Sequence, residues 1–161
     1  MTPTGLIRIA RHLASGRIGS GIGRPRQDEL CRAVSCAYYA MFHTLAGCCA
    51  DMLVGVTRAR RSQEAWRRTY RALEHGHAKN QCANARMLGR FPPEIQRFGE
   101  LFIHMQRHRH DADYDPDASF SRSDVMQFID ETESVIGGFE TVDARDRRAF
   151  GVFVLLRNRR W

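Results

Sequence analysis

The side chains best suited to chemistry are concentrated in one stretch, which runs from Gln106 to Pro116. Between these two residues it contains two Arg, two His, three Asp and one Tyr, in the order Arg107, His108, Arg109, His110, Asp111, Asp113, Tyr114 and Asp115. Arginine binds phosphate through parallel N–H donors, and histidine exchanges protons close to neutral pH. The stretch therefore predicts a site that binds a phosphate group or moves a proton.

A second set of polar side chains is predicted on an earlier helix. Arg32, Cys36, Tyr39 and His43 are separated by four, three and four residues, which aligns them along one face of an α-helix. The adjoining face is apolar, so this helix should be deeply buried. Two interpretations remain open for the row: its Tyr and His either satisfy hydrogen bonds at a helix interface or belong to a binding site.

Charge is divided unevenly along the chain of 161 residues, whose net charge is +7. Residues 1–110 carry 18 basic and 7 acidic side chains, residues 111–146 carry 2 and 11, and residues 147–161 carry 5 basic ones. Lys79 is the only lysine, and every other basic residue is an arginine. A basic body that faces an acidic segment favours intramolecular pairing, self-association or a partner that bears phosphate.

The composition also predicts a cytoplasmic protein that has no contact with a membrane. No segment is apolar over the length that a membrane span needs, and arginines interrupt the short apolar patch near the N-terminus. The five cysteines show no CxxC spacing, which argues against a disulfide framework and against a zinc ribbon. They are expected to be reduced and buried: Cys31, Cys36, Cys48, Cys49 and Cys82.

Apolar periodicity predicts an all-α fold in a single domain of residues 1–161, with no convincing strand. Helices are expected over about 4–15, from Pro25 through Leu45, from about Ser62 to His75 with Gly76 as its cap, from Pro93 to Asp113 or Tyr114, from Ser121–Asp124 to a break at Gly137–Gly138, and from Val142 to about Arg157. Residues 15–23 are expected to form a flexible loop and residues 77–93 a loop with at most two helical turns. Pro116 should end the helix that carries the first stretch.

Two of these stretches resemble motifs of the HEPN superfamily, the higher eukaryotes and prokaryotes nucleotide-binding domains. Residues 32–43, RAVSCAYYAMFH, are similar to its tyrosine-rich AYYAMFH helix. Residues 107–116, RHRHDADYDP, are similar to the R..ADYDP segment that ends a later helix in uncharacterised bacterial members. The resemblance covers about residues 5–135 and implies a HEPN-like helical bundle, frequently dimeric, with four core helices plus N-terminal and C-terminal helices. It also implies that the polar row faces the arginine-bearing end of the later helix.

The resemblance further implies a function in RNA or nucleotide binding. Many members are metal-independent endoribonuclease toxins that pair with a small nucleotidyltransferase-like antitoxin, and others bind RNA or nucleotide without cutting. In the cutting members a His follows an Arg by four to six residues. Here Tyr114 stands five residues after Arg109, and His110 is the last His of the chain. We therefore predict a HEPN-like protein with an altered motif, no cofactor, and a homodimer and an antitoxin as expected partners.

The two motifs supply the candidate site residues. If the protein cuts RNA, Arg109 would stabilise the charge that develops on phosphate, His43 or His110 would move the proton, and Tyr114 would hold the place of the family His. The candidate contacts to nucleic acid are Arg107, Arg109, Arg32 and Tyr39. The functional alternative is a non-catalytic dimerisation or partner-interaction module that uses the acidic segment and the apolar last helix.

Two other accounts of the Gln106–Pro116 stretch also need testing. In a structural account, Arg107 with Asp111 and Arg109 with Asp113 form i,i+4 pairs worth about 0.2–0.5 kcal/mol each. Carboxylates are disfavoured at a helix C-terminus, so arginines from elsewhere in the chain are expected to contact them. In a metal account, His104 and His108 stand at i,i+4 with Asp111 one turn beyond. The neighbouring arginines oppose a cation there, and no metal is predicted.

Overall fold

The computed structural model describes residues 2–18 and 21–157, which form a bundle of eight helices and one short ribbon. The prediction of an all-α fold is confirmed. The helices are α1 (Pro3–Ala14), α2 (Gln27–Val54), α3 (Gln63–Ala72), α4 (His75–Cys82), α5 (Ala85–Leu88), α6 (Pro93–Tyr114), α7 (Arg122–Thr141) and α8 (Ala144–Leu155). Among the described residues, no helix is both long enough and apolar enough to cross a membrane.

The bundle is built around α2, which packs against α1, α3, α6, α7 and α8. The apolar stripe of α2 extends over more than one of its faces, so it supplies the centre of the core. Tyr38, Met41 and Leu45 are completely buried there. Burial of an apolar side chain of this size stabilises a fold by about 1.5–3 kcal/mol. Because α2 lies at the centre of the bundle, the packing around it holds the backbone of the polar row in place.

The start of α2 differs from the prediction. Pro25 was expected to open the helix, but the first helical residue is Gln27 and Arg26 is the N-cap. The backbone N–H of Arg26 donates a hydrogen bond to Glu29 Oε2 at 2.8 Å, which satisfies one of the donors that a helix start leaves unpaired. Pro25 therefore precedes the helix rather than forming its first turn.

The predicted flexible loop at residues 15–23 contains a small antiparallel ribbon. Its strands are β1 (Arg17–Ile18) and β2 (Gly21–Ile22). Gly16 has a φ of 69°, and the N–H of Gly23 donates to its carbonyl oxygen at 3.0 Å. A Cβ at Gly16 would lie 2.1 Å from the Gly23 oxygen, so only glycine fits there. Gly16 and Gly23 thus join the two ends of the ribbon through this hydrogen bond.

The end of α3 was predicted wrongly. His75 was expected in its last turn and Gly76 as its cap, but α3 ends at Ala72 and His75 opens α4. Gly76 lies inside α4, and its φ is not positive. The segment predicted to be mostly loop is instead largely helical in α4 and α5, because packing against α6 buries the side chains of Ala78, Cys82 and Leu88.

Helix α7 runs through Gly137–Gly138, where a break was expected. A continuous helix keeps Ile136 and Phe139 buried on either side of the glycine pair. The ring of Phe139 packs 4.4 Å from that of Phe98 in α6, measured between centroids. A break would withdraw this aromatic side chain from the core, so tertiary packing overrides the poor helix propensity of glycine.

The acidic segment pairs in part with the basic body, one of the arrangements that the charge pattern favours. Arg11 in α1 makes an ion pair with Asp130 in α7 at 2.5 Å and a second one with Glu133. The last helix, α8, packs on α2 and α4 and buries Phe150 and Val154. The predicted basic tail after Arg157 lies outside the described residues.

Candidate functional site

The two sequence motifs meet at a hydrogen bond between α2 and α6. Nη2 of Arg109 donates to Oη of Tyr39 at 3.0 Å. The centre of the Arg109 guanidinium also lies 5.5 Å from the Tyr39 ring and 5.4 Å from the Tyr114 ring, within the range of cation–π interactions. The central arginine of the later stretch is therefore held between two tyrosines, one from each motif.

Arg109 is paired with a carboxylate of its own helix. Its Nε lies 2.8 Å from Oδ2 of Asp113, although the N–H does not point at this oxygen, so the contact is ionic rather than a hydrogen bond. The hydroxyl of Ser35, from α2, donates to the other carboxylate oxygen at 2.5 Å. Burial opposes the charge of Arg109, but Tyr39 and Asp113 outweigh it and raise the pKa of Arg109 above its ordinary value. The guanidinium is permanently charged.

Two hollows lie on either side of this contact. The first, which we call the apolar groove, has a volume of about 390 Å³ and is lined by Leu6, Ile9, Arg32, Ser35, Cys36, Tyr39 and His43. The second, the basic hollow, has a volume of about 450 Å³ and is lined by Lys79, Gln106, Arg107, Arg109, His110 and Asp111. Tyr39 belongs to the groove and Arg109 to the hollow, so their hydrogen bond forms the boundary between the two.

His43 is a neutral histidine with one nitrogen already engaged. Its Nδ1 lies 2.5 Å from Oη of Tyr70 in α3. Burial lowers the pKa of His43 and raises the pKa of Tyr70, so both are uncharged at neutral pH. We therefore assign the phenol as donor and Nδ1 as acceptor, which leaves the imidazole proton on Nε2. In this tautomer His43 can donate a hydrogen bond but is not ready to accept a proton.

His75 also lies beside the site, although the sequence reasoning placed it at the end of another helix. Its Nδ1 is 2.5 Å from Oη of Tyr38, and its ring stacks on Phe42 with centroids 3.8 Å apart. Burial lowers the pKa of His75, and the positive charge of Arg109 lowers it further. His75 is therefore a neutral group that packs against α2 next to the polar row.

Aromatic rings continue from the site into α3 as a ladder. Trp66 stacks on Tyr70, Tyr70 on His43 and His43 on Tyr39, with centroid separations of 5.1, 5.9 and 6.1 Å. At the far end a clasp holds α3 to the C-terminal part of α2. In it, Trp66 Nε1 and Arg61 Nη1 both donate to Oδ1 of Asp51 at 2.8 Å.

The structure brings together some of the predicted site residues and separates others. Arg109 contacts both Tyr39 and Tyr114. Arg32 and His43 line the apolar groove, whereas Arg107 and His110 line the basic hollow. The two histidines considered for proton transfer therefore lie on opposite sides of the Tyr39–Arg109 bond. His110 is exposed, and its ring lies 5.1 Å from that of Tyr114.

The structural account of the Gln106–Pro116 stretch is only half correct. Arg109 pairs with Asp113, but within residues 2–18 and 21–157 there is no ion pair between Arg107 and Asp111. Among the residues that the structure describes, no arginine from another part of the chain makes an ion pair with these acids, and the partner that Asp113 has outside α6 is the hydroxyl of Ser35. Arg107 is therefore free of a carboxylate partner and is exposed.

The histidines of the metal account are used differently. The ring of His108 stacks on Phe128 of α7, with centroids 4.5 Å apart. In the described part of the chain, no three His, Cys, Asp or Glu side chains are grouped so that they could hold a metal ion.

Sequence reasoning missed three residues of the site. Ser35 lies one turn before Tyr39 on α2, a spacing that could have added it to the row. Lys79 and Tyr70 come from α4 and α3, whose docking on the centre depends on long-range packing. No local sequence pattern predicts where these two side chains lie in the folded protein.

Comparison with known proteins adds no relative. No protein-family model matches the chain, and no curated protein or solved structure is similar enough to count as a match.

Proposed function

We propose that this chain is a HEPN-like domain that binds RNA or nucleotide through phosphate in the basic hollow. The observation that carries the proposal is the bond between Tyr39 and Arg109, because it joins the two motifs on which the resemblance rests. The charge of the hollow supports it as well. Lys79, Arg107 and Arg109 line it beside the single carboxylate of Asp111. Cations grouped in this way bind a phosphate diester strongly.

Tyr114 provides a surface for a base next to the phosphate. Its side chain is 65% exposed, and its ring lies beside the guanidinium of Arg109. Bases stack on exposed aromatic rings with a gain of about 1–3 kcal/mol, largely independent of sequence. A single-stranded RNA is therefore the preferred ligand, since its bases are available for stacking.

In the catalytic form of the proposal, the protein is a metal-independent endoribonuclease toxin with an altered motif. The 2′-hydroxyl oxygen attacks phosphorus, the bond from phosphorus to the 5′-oxygen breaks, and the products are a 2′,3′-cyclic phosphate and a 5′-hydroxyl that takes up a proton from water. Arg109 stabilises the negative charge that develops on the phosphate during this step. His110 removes the proton of the 2′-hydroxyl, because it lines the same hollow as Arg109, whereas His43 lies in the groove with its proton on Nε2. By resemblance, the domain forms a homodimer and has a nucleotidyltransferase-like antitoxin as its partner.

One observation favours the alternative in which the domain binds partners without cutting. Arg109 is engaged by Asp113 and Tyr39, so a phosphate must compete with the carboxylate for its charge and with the phenol for one of its donors. A cutting enzyme gains most from an arginine whose donors are already aimed at the transition state. The alternative predicts that variants of Arg109 alter stability or oligomeric mass and leave RNA untouched.

The test is cleavage and binding of single-stranded RNA by the purified protein in EDTA. Arg109→Ala and His110→Ala should each abolish cleavage, while His43→Ala should retain a measurable part of it. Arg97→Ala is the matched control, because Arg97 is an exposed arginine of the same helix. Thermal melting of each variant separates loss of function from loss of fold. Cleavage that persists in Arg109→Ala rules out the catalytic form, and RNA binding unaffected by Lys79→Ala/Arg107→Ala rules out the binding site.

A further inference from the structure

A third hollow, which we call the polar cleft, lies on the other side of α4 from the basic hollow. It has a volume of about 930 Å³, and the residues of its wall that matter here are His77, Asn80, Asn84, Arg86, Arg90 and Arg157. Among residues 2–18 and 21–157, no carboxylate lines it. Gln81, Met87 and Phe153 complete the wall, and its polar groups are arginines, amides and one histidine. Polar groups of these types have the chemistry of an anion site.

Helix α4 separates the polar cleft from the basic hollow. His77, Asn80 and Gln81 are spaced by three and one residues, so they lie on one face of α4, and Asn84 follows just after the helix. All four line the cleft. Lys79, the neighbour of Asn80, lines the basic hollow instead. The buried edge of the helix is formed by Ala78 and Cys82. One short helix thus presents polar groups to two hollows at once.

Two of the three arginines are free to bind a ligand. Arg157 makes an ion pair with Glu74 at 2.6 Å, but among the described residues Arg86 and Arg90 have no acidic partner, and both are exposed. In addition, Nε2 of His77 is buried and has no hydrogen-bond partner within the part of the chain that the structure describes. An unpaired buried polar atom destabilises the protein, and a ligand with a hydroxyl or phosphate oxygen could pair with it.

We propose that the polar cleft is a second phosphate-binding site and that a single-stranded RNA crosses α4 to occupy it together with the basic hollow. This inference rests on the proposed function for the basic hollow and adds the class of ligand: a strand of several nucleotides rather than a free nucleotide. A helix with its side chains is about 10–12 Å across, so a ligand must contain more than one phosphate to reach both hollows. The amides of Asn80 and Asn84 then face bases or riboses of the bound strand.

The test measures fluorescence anisotropy of a labelled RNA of about 12 nucleotides, a length within the site sizes of about 4–16 that such proteins show. Binding is followed at several salt concentrations for Arg86→Ala/Arg90→Ala and for Lys79→Ala/Arg107→Ala. Each lost phosphate contact lowers the slope of log K against log salt by about 0.7 for a single strand, so either double variant should lower it by about 1.4. Arg58→Ala/Arg60→Ala is the control for charge alone, since both residues are exposed and lie outside the two hollows.

The outcomes separate this inference from the proposed function. A loss of slope in both double variants but not in the control supports the two-site strand, and a dinucleotide should then bind Arg86→Ala/Arg90→Ala as well as it binds the unchanged protein. A loss confined to Lys79→Ala/Arg107→Ala overturns the second site and leaves the proposed function intact. A loss confined to Arg86→Ala/Arg90→Ala overturns the role of the basic hollow and with it the crossing of α4.

Discussion

Replacing Asp113 with asparagine should make the fold less stable and make the basic hollow bind phosphate more tightly. Asp113 is the acceptor for the buried hydroxyl of Ser35 and the counter-ion of Arg109. Asparagine has nearly the same shape and can still accept from Ser35. The substitution therefore removes one negative charge while leaving the packing unchanged.

The expected size of the effect follows from these contacts. A hydrogen bond to a charged group contributes about 1.5–3 kcal/mol to stability, and a neutral one contributes about 0.5–1.5 kcal/mol. The substitution therefore lowers the contribution of the Ser35 hydrogen bond by about 1–1.5 kcal/mol. The ion pair is partly screened, since the side chains of Arg109 and Asp113 are 17% and 24% exposed, and it adds at most about 1 kcal/mol. A carboxylate is unfavourable at the C-terminus of α6, so removing its charge stabilises the fold by about 0.5 kcal/mol. The net loss is about 1.5 kcal/mol, or about 3–6 °C in Tm.

The second half of this prediction concerns binding. Removal of a like charge a few ångströms from the phosphate site should strengthen RNA binding by up to about 1 kcal/mol, which is about fivefold. The assays are urea unfolding and RNA anisotropy on the same preparations. The control is Asp117→Asn, which removes an exposed carboxylate just beyond the same helix. If Asp113→Asn were as stable as this control, or bound RNA more weakly than the unchanged protein, the assigned role of Asp113 would be wrong.

Three further outcomes follow from packing and burial. Burial lowers the pKa of His43 and His75, so the unfolded chain takes up protons first as the pH falls below about 6.5. Urea unfolding should therefore show full stability above that pH and a progressive loss of stability below it. The loss of stability at low pH should be smaller in His75→Gln. Gly99→Ala should cost about 1 kcal/mol, since its Cβ would lie 2.9 Å from a methyl of a buried leucine, whereas Gly137→Ala, which meets no atom within 4 Å, should gain about 0.5–1 kcal/mol in the same assay. Iodoacetamide should label Cys31 well before the four buried cysteines, as mass spectrometry of the native protein would show; equal labelling of all five would contradict the buried positions.

Much of the fold follows from local sequence signals. The apolar stripe of α2 predicted that this helix is buried. Pro116 predicted the end of α6 near Tyr114. The failures at Gly76 and at Gly137–Gly138 share one cause, which is that glycine marks a helix end only when tertiary packing does not require the helix to continue. His75 stacks on Phe42, and Phe139 packs on Phe98. Contacts of this kind join residues that are distant in sequence.

The candidate site was predictable to a similar extent. Helical spacing gave the α2 row and composition gave the Arg-rich stretch, but only the resemblance to the HEPN motifs implied that the two would face each other. The division of the two histidines between separate hollows could not be expected, because it depends on how α1 and α4 dock. The same holds for Lys79, which reaches the basic hollow from a segment predicted to be mostly loop.

Alone among the described helices, α3 buries none of its own residues. The ring ladder and the clasp at Asp51 attach this helix to α2. The next buried side chain is that of Leu73, just after the end of α3. A helix held in this way opens locally at a small cost in free energy, so its amides should exchange with deuterium sooner than those of α2 and α6. Each opening breaks the bond from Tyr70 and frees Nδ1 of His43. The tautomer that we assign to His43 therefore depends on α3 remaining packed against α2.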